Sequence, residues 1–345
     1  MPSPLVAPVS TVTLPFETPP PNGEPIEIAP GILWLRLALP FRLNHVNVYL
    51  IRDSAGYAIF DTGIFDDITR ATWTALLAGP LAAPITRIIV SHYHPDHAGM
   101  AGWLADRTGA PVLMPTTEYL TSLVLMLDPA ALDSEPYRSF YRAHGLDAAT
   151  TDSLLTLGNR YLKMVAPLPR TYRRLIAGET LHIDGDAFDV LTAGGHAPEQ
   201  AMLHASTRKL ILCADQVLAR ISPNIGVDAH DPDGDPLGIY LRSLATLRAT
   251  IPADTLVLPG HNLPFIGLHT RIDELTAHHH ARCDAIEAAC RTKPQNVQEL
   301  MPVIFHRPID DPHQMGFAFS EALAHVNFMR RTGRLHERDG RVVAS

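Results

Sequence analysis

The chain has 345 residues, 46% hydrophobic and 19% charged, so it can bury a sizeable core and is not a disordered chain. Its formal charge of −8, with lysine only at Lys163, Lys209 and Lys293, argues against general nucleic-acid binding, which needs a basic face for phosphates. Cys213, Cys283 and Cys290 are too few and too scattered for a disulfide framework, and without a CxxC pair they exclude a zinc ribbon.

Residues 1–26 form a Pro-rich arm with neither the basic n-region nor the apolar h-region of a signal peptide, so a loosely ordered segment and a cytoplasmic protein are expected. No apolar run is long enough to cross a bilayer, and no membrane partner is expected. GILWLRLAL, HVNVYLIRD and YAIFDTG read as strands, and DDITRATWTALLAGPL as an amphipathic helix opened by Asp66 and Asp67. ITRIIVS is a short buried strand broken by HYHPDHAG; a helix and the strand PVLMP follow. Residues 116–174 read as a helical insertion. ETLHIDG, AFDVLTAGGH, AMLHAS and KLILCAD restore the strand rhythm, and the helix DPLGIYLRSLATLRATI leads to the strand TLVLPGH. Two αβ halves over residues 27–266 fit a four-layer αββα sandwich better than one doubly wound sheet. Residues 267–345 bring a long helix, two shorter ones and a hairpin turning at Asp339-Gly340, the make-up of a winged-helix module.

The chemistry centres on Ser91-His92-Tyr93-His94-Pro95-Asp96-His97, three imidazoles and a carboxylate directly after an apolar strand. A borderline cation such as Zn²⁺ takes imidazole nitrogen and carboxylate oxygen. His92 and His94 can face one ion, and Asp96 and His97 turn towards a second. Four ligands do not complete two sites. His196, Asp215 and His261 each follow a predicted strand and supply the remainder, with Asp215 the best-placed carboxylate to lie between two cations.

His-x-His-x-Asp-His followed by separated His, Asp and His resembles the metallo-β-lactamase superfamily over roughly residues 27–271. The resemblance implies His92, His94 and His196 on one metal, Asp96, His97 and His261 on the other, and Asp215 between them. It also implies Asp61 as a residue orienting the site. The two divalent ions are expected to be zinc, with iron or manganese accepted by the same ligands. The implied activity is hydrolysis by a metal-bridging hydroxide, with Asp96 orienting the nucleophile or carrying a proton to the leaving group. A hydrolase domain followed by a winged helix is similar to the lactamase-β-2-like branch, which includes ribonucleases and thioesterases. The loop Gly-Gly-His-Ala-Pro-Glu-Gln around His196 departs from the Gly-His-Thr/Ser-Pro-Gly-His of glyoxalase II-like members and weakens any transfer of glutathione-thioester specificity.

The expected substrate is a small thioester, ester or lactone; a ribonuclease, or a binding protein with a vestigial site, are the alternatives. Tyr93 is expected to rim the pocket. The apolar stripe Tyr119, Leu120, Leu123, Met126 and Leu127 either lines a cleft or packs down. His278, His279 and His280, consecutive on a helix, are expected on a solvated face. His45 borders the pocket or is structural, and His204 and His325 read as core or interface. Cys213, two residues before Asp215 on a strand, is expected to share its face as a small buried hydrophobe. QMGFAFSEALAHVNFMRR carries basic residues only at its end, so it is expected against the hydrolase domain or a second subunit, as in a homodimer, rather than in a DNA groove.

Overall fold

The computed structural model describes residues 11–128, 134–156, 159–306, 309 and 311–345. The first half runs β1 (Ile26–Ala29), β2 (Ile32–Ala38), β3 (His45–Asp53), β4 (Gly56–Phe60), α1 (Asp67–Ala78), β5 (Ile85–Ile89), α2 (Pro95–Ala98), α3 (Ala101–Thr108) and β6 (Val112–Met114). The insertion supplies α4 (Thr116–Leu127), α5 (Glu135–Ala143), α6 (Ala148–Leu155) and α7 (Tyr161–Met164), closing with β7 (Arg173–Arg174). The second half runs β8 (Thr180–Ile183), β9 (Asp186–Ala193), β10 (Gln200–Ala205), β11 (Leu210–Ala214), α8 (Pro236–Thr250), β12 (Leu256–Pro259) and β13 (Phe265–Ile266). The C-terminal region contains α9 (Leu268–Thr292), α10 (Val297–Ile304), α11 (Pro312–Arg331), β14 (Leu335–Arg338) and β15 (Arg341–Ala344).

Strand alternation sorts the side chains into layers. On β3, Val46, Val48 and Leu50 face the helix side of the first sheet, while Tyr49 and Ile51 face the core between the sheets. On β11, Leu210, Leu212 and Ala214 face that central core, and Ile211 faces the helices of the second sheet. β1 to β7 lie in chain order in one sheet, antiparallel up to β4 and parallel thereafter. The other sheet has the order β13-β12-β11-β10-β9-β8, with β11 and β12 parallel. Three hydrophobic cores, one between the sheets and one under each helix layer, give the expected αββα architecture.

The arm from Thr11 onward is laid against this body: Thr13 bridges Ile266 and the Phe16 ring lies edge-on to Trp34. α11 packs on α6, α8, α9 and α10, burying Phe319, Leu323, His325 and Met329, so its apolar face is absorbed within the chain. The β14–β15 hairpin turns at Asp339 and Gly340, both at positive φ as a primed turn requires. One expectation about α9 fails. His279 is fully buried rather than solvated, because α11 covers that face and His325 Nε2 lies 3.2 Å from His279 Nδ1. Only His280 of the three is exposed.

Candidate metal centre

Five strand ends deliver the chemistry. β4 leads into Asp61, β5 into the 91–97 loop, β9 into His196, β11 into Asp215 and β12 into His261. Strand β9 lies antiparallel to β10, and β10 antiparallel to β11, so β9, β11 and β12 end on the same edge of their sheet. Pro95 at the first helical position starts α2, whose single turn swings Asp96 and His97 away from His92 and His94. Asp61, Ala214 and Asn262 hold φ of 62°, 42° and 66°, a cluster of left-handed backbone beside one site.

The expected residues converge. His92 Nε2 lies 2.9 Å from His94 Nδ1, which lies 3.0 Å from His196 Nε2. His261 Nε2 is 3.3 Å from Asp96 Oδ2, and His97 Nε2 is 3.7 Å from the same oxygen. Asp215 sits between the two groups: Oδ1 is 3.4 Å from His97 Nε2, and Oδ2 is 3.4 Å from His196 Nε2 and 3.2 Å from His261 Nε2. Three sets therefore have ligand atoms within 4.8 Å of one another: His92/His94/His196, His92/His97/Asp215 and Asp96/His97/His261. The backbone of Gly260 makes this possible, since a Cβ there would stand 2.3 Å from Asp215 Oδ1 and 2.8 Å from His97 Cε1.

The opposite side of four imidazoles is tied down. His92 Nδ1 meets Ser91 Oγ at 2.8 Å and His97 Nδ1 meets Asp61 Oδ2 at 2.8 Å. His196 Nδ1 donates to the Asn224 carbonyl at 2.8 Å, and His261 Nδ1 to the His45 carbonyl at 2.7 Å. A carbonyl or carboxylate acceptor at Nδ1 fixes each ring's orientation and turns the Nε2 atoms of His97, His196 and His261 inward. His97 Nε2 and Asp215 Oδ1 are buried without a hydrogen-bond partner. Buried polar atoms without a hydrogen bond are costly alone, and a bound cation would satisfy them. The donor set fits divalent metal ions.

Electrostatics divide the set. Burial, reinforced by neighbouring imidazoles, holds His92 well below its ordinary pKa and brings His94 to about 3. Burial opposes charge on His97 and His261 too, but carboxylates led by Asp215 overcome it, raising His97 well above its usual range and His261 to about 10. The same pairing keeps Asp96 and Asp215 ionised despite burial. Tyr93 borders the site, its ring centroid 4.6 Å from that of His94.

Several positioning groups carry little signal in the sequence. Glu118 on α4 is fully buried and accepts from the backbone N–H of Tyr93 at 3.0 Å and of Glu199 at 2.5 Å, joining the loops of His94 and His196. Asn47 Nδ2 donates to the carbonyls of Pro259 and Asn262, and Tyr49 Oη donates to that of Pro259, so the first sheet grips the turn that carries His261. His45 accepts at Nε2 from the Asn262 N–H and orients His261 through its own carbonyl. Cys213 is the small buried hydrophobe expected, on the helix side of β11 with Ile211 and against the Val217 carbonyl. The positive φ of Ala214 turns the chain after it, however, so Asp215 does not share its face. In the α4 stripe only Tyr119 packs fully down; Leu120 and Leu127 are exposed, as is Val124 between them.

A sequence model described as "Metallo-beta-lactamase superfamily" matches residues 41–261, and one described as "Metallo-beta-lactamase-like, C-terminal domain" matches residues 283–343. The chain belongs to the metallo-β-lactamase superfamily. It is similar to a β-lactamase domain protein from Burkholderia ambifaria, at 38% identity and a TM-score of 0.88, covering 97% of this chain and 98% of that one. A metallo-β-lactamase family protein from Thermus thermophilus is 28% identical with a TM-score of 0.79, covering 92% of this chain and all of that one. A probable metallo-hydrolase from Bacillus subtilis is 23% identical over 309 residues, 86% of this chain and 92% of the relative.

Proposed function

We propose that this superfamily member is a metal-dependent hydrolase of a small carbonyl compound, a thioester or an ester, lactones included. The observation that carries the reading is the placing of Asp215, whose Oδ2 is 3.4 Å from His196 Nε2 and 3.2 Å from His261 Nε2. His92, His94 and His196 would hold one divalent ion and Asp96, His97 and His261 the other, with Asp215 shared. When bound, such ions supply a Lewis acid for the substrate oxygen and lower the pKa of water towards roughly 7.

The chain's own residues orient, shield and move protons. Ser91, Asp61, His45 and Asn224 hold the imidazoles in place. Complete burial of His92 and His97 keeps bulk water from the floor of the site. Asp96, with a fifth of its side chain exposed, is the carboxylate at the mouth that can carry a proton to a leaving group. The net negative charge and the scarcity of lysine support an acyl substrate over RNA. Purified protein should contain two divalent ions per chain, zinc before iron or manganese, and turn over a thioester or lactone in a panel that includes β-lactams and oligoribonucleotides. Turnover of RNA alone would replace the acyl assignment with a nuclease; absence of bound metal would leave a binding protein.

A further inference from the structure

The segment between β11 and α8 holds the carbonyl that orients His196, and it is fastened from outside the sandwich. Arg271 on α9 donates through Nε to the Leu218 carbonyl at 2.6 Å and through a terminal nitrogen to the Ile221 carbonyl at 2.9 Å. Asn224 Nδ2 donates to Glu321 Oε2 at 3.2 Å and to the Phe317 carbonyl at 3.3 Å, both on α11. The Val227 N–H donates to the Ser320 carbonyl at 3.1 Å, and Gly226 leaves so little room that a Cβ would stand 2.6 Å from Ser320 Oγ. Glu321 is itself fixed: it is 5% exposed, and its other oxygen is hydrogen-bonded to Arg282 of α9, 8% exposed.

We infer that the C-terminal helices complete the metal centre, with Asn224 and Glu321 as positioning residues that set His196 through the line Arg282–Glu321–Asn224–His196. The inference rests on the reading of His196 as a ligand and adds a role for the C-terminal module. A rotating His196 ring would present Nδ1–H or carbon to the site instead of the Nε2 lone pair. The Asn224 carbonyl stops that rotation only while its own side chain is moored. The buried Arg282 and Glu321 pair supplies a charged acceptor that does not wander. Asn224, Glu321 and Arg282 stand on the Nδ1 side of His196, opposite the Nε2 that faces the other donors, so α11 acts on the centre from behind.

The test is Asn224→Ala, which leaves the Arg282–Glu321 pair intact and so keeps the helices packed, beside Glu321→Gln, which retains an oxygen acceptor for Asn224. In metal-free protein, the His196 Nδ1–H proton should give a slowly exchanging NMR signal in the parent chain. It should broaden away in Asn224→Ala and survive in Glu321→Gln. In calorimetric titration with Zn²⁺, Asn224→Ala should weaken one of two binding events roughly tenfold, the scale of groups behind a ligand, and leave the other unchanged. A sharp His196 signal in Asn224→Ala overturns the inference, as does equal weakening of both binding events. A parent chain that binds no Zn²⁺ overturns the metal-centre reading instead, and the NMR comparison still decides the mooring of His196.

Discussion

Asp61 and His97 form a buried pair in which the imidazole Nδ1 donates to the carboxylate at 2.8 Å, with side chains 1% and 0% exposed. Asp61 also accepts from Ser91 through both N–H and Oγ–H, so one carboxylate fixes the start of the motif loop and the ring near its end. Its left-handed φ is one that asparagine also tolerates. Asp61→Asn should therefore fold but weaken metal binding at Asp96, His97 and His261 by roughly 10–100-fold. Metal titration of the folded variant checks this; an unchanged affinity would remove Asp61 from the orienting role.

His94→Ala should abolish hydrolysis, with far-UV circular dichroism unchanged. His94 stands in the loop after β5 rather than in a strand, so its loss leaves both sheets in place. Retained turnover would place the chemistry elsewhere in the chain.

Metal itself should stabilise the protein. The buried Nε2 of His97 and Oδ1 of Asp215 lack a hydrogen bond, and an ion at one hundred times its Kd contributes about 2.7 kcal/mol per site. A rise in melting temperature of several degrees on adding Zn²⁺, reversed by a chelator, is the expected result. Identical melting with and without the ion would count against both sites.

Glu118, which joins the loops of His94 and His196, gives a pH signature of its own. Burial is the largest influence on its carboxyl, outweighs the two backbone N–H donors that favour ionisation, and brings the pKa from 4.5 to about 7. The folded chain thus binds more protons than the unfolded one between these values, and this contribution to stability falls as pH rises from about 4.5 to about 7. Glu118→Gln cannot titrate, so the stability of the parent relative to the variant should decline across that window, by about 3 kcal/mol at most. Denaturant unfolding at several pH values measures it; parallel curves for the two proteins would show that Glu118 does not titrate as described.

The parts of the fold and site that are legible in the sequence share one property: their signal is local. The run His92 to His97 spells its chemistry in consecutive residues, and His196, Asp215 and His261 each follow an apolar strand. What stays hidden depends on distant backbone. The carbonyls of His45 and Asn224 that orient His261 and His196 belong to residues whose side chains announce nothing of the kind. Glu118 looks like an ordinary acidic residue in a first helical turn, and only the approach of two loops shows why it is buried. His279 reads as solvated until α11 covers it. Asp215 leaves the face of Cys213 because strand alternation assumes extended backbone, and the φ of Ala214 is not extended.

The centre draws on both sheets, and its donors are synthesised far apart, His92 well before His261. A nascent chain that has released only its first sheet carries His92, His94, Asp96 and His97 and none of the three donors of the other sheet. On the proposed ligand assignment, loading with metal would belong after translation has passed β12, and an ion so held would rivet the two halves of the sandwich along one rim.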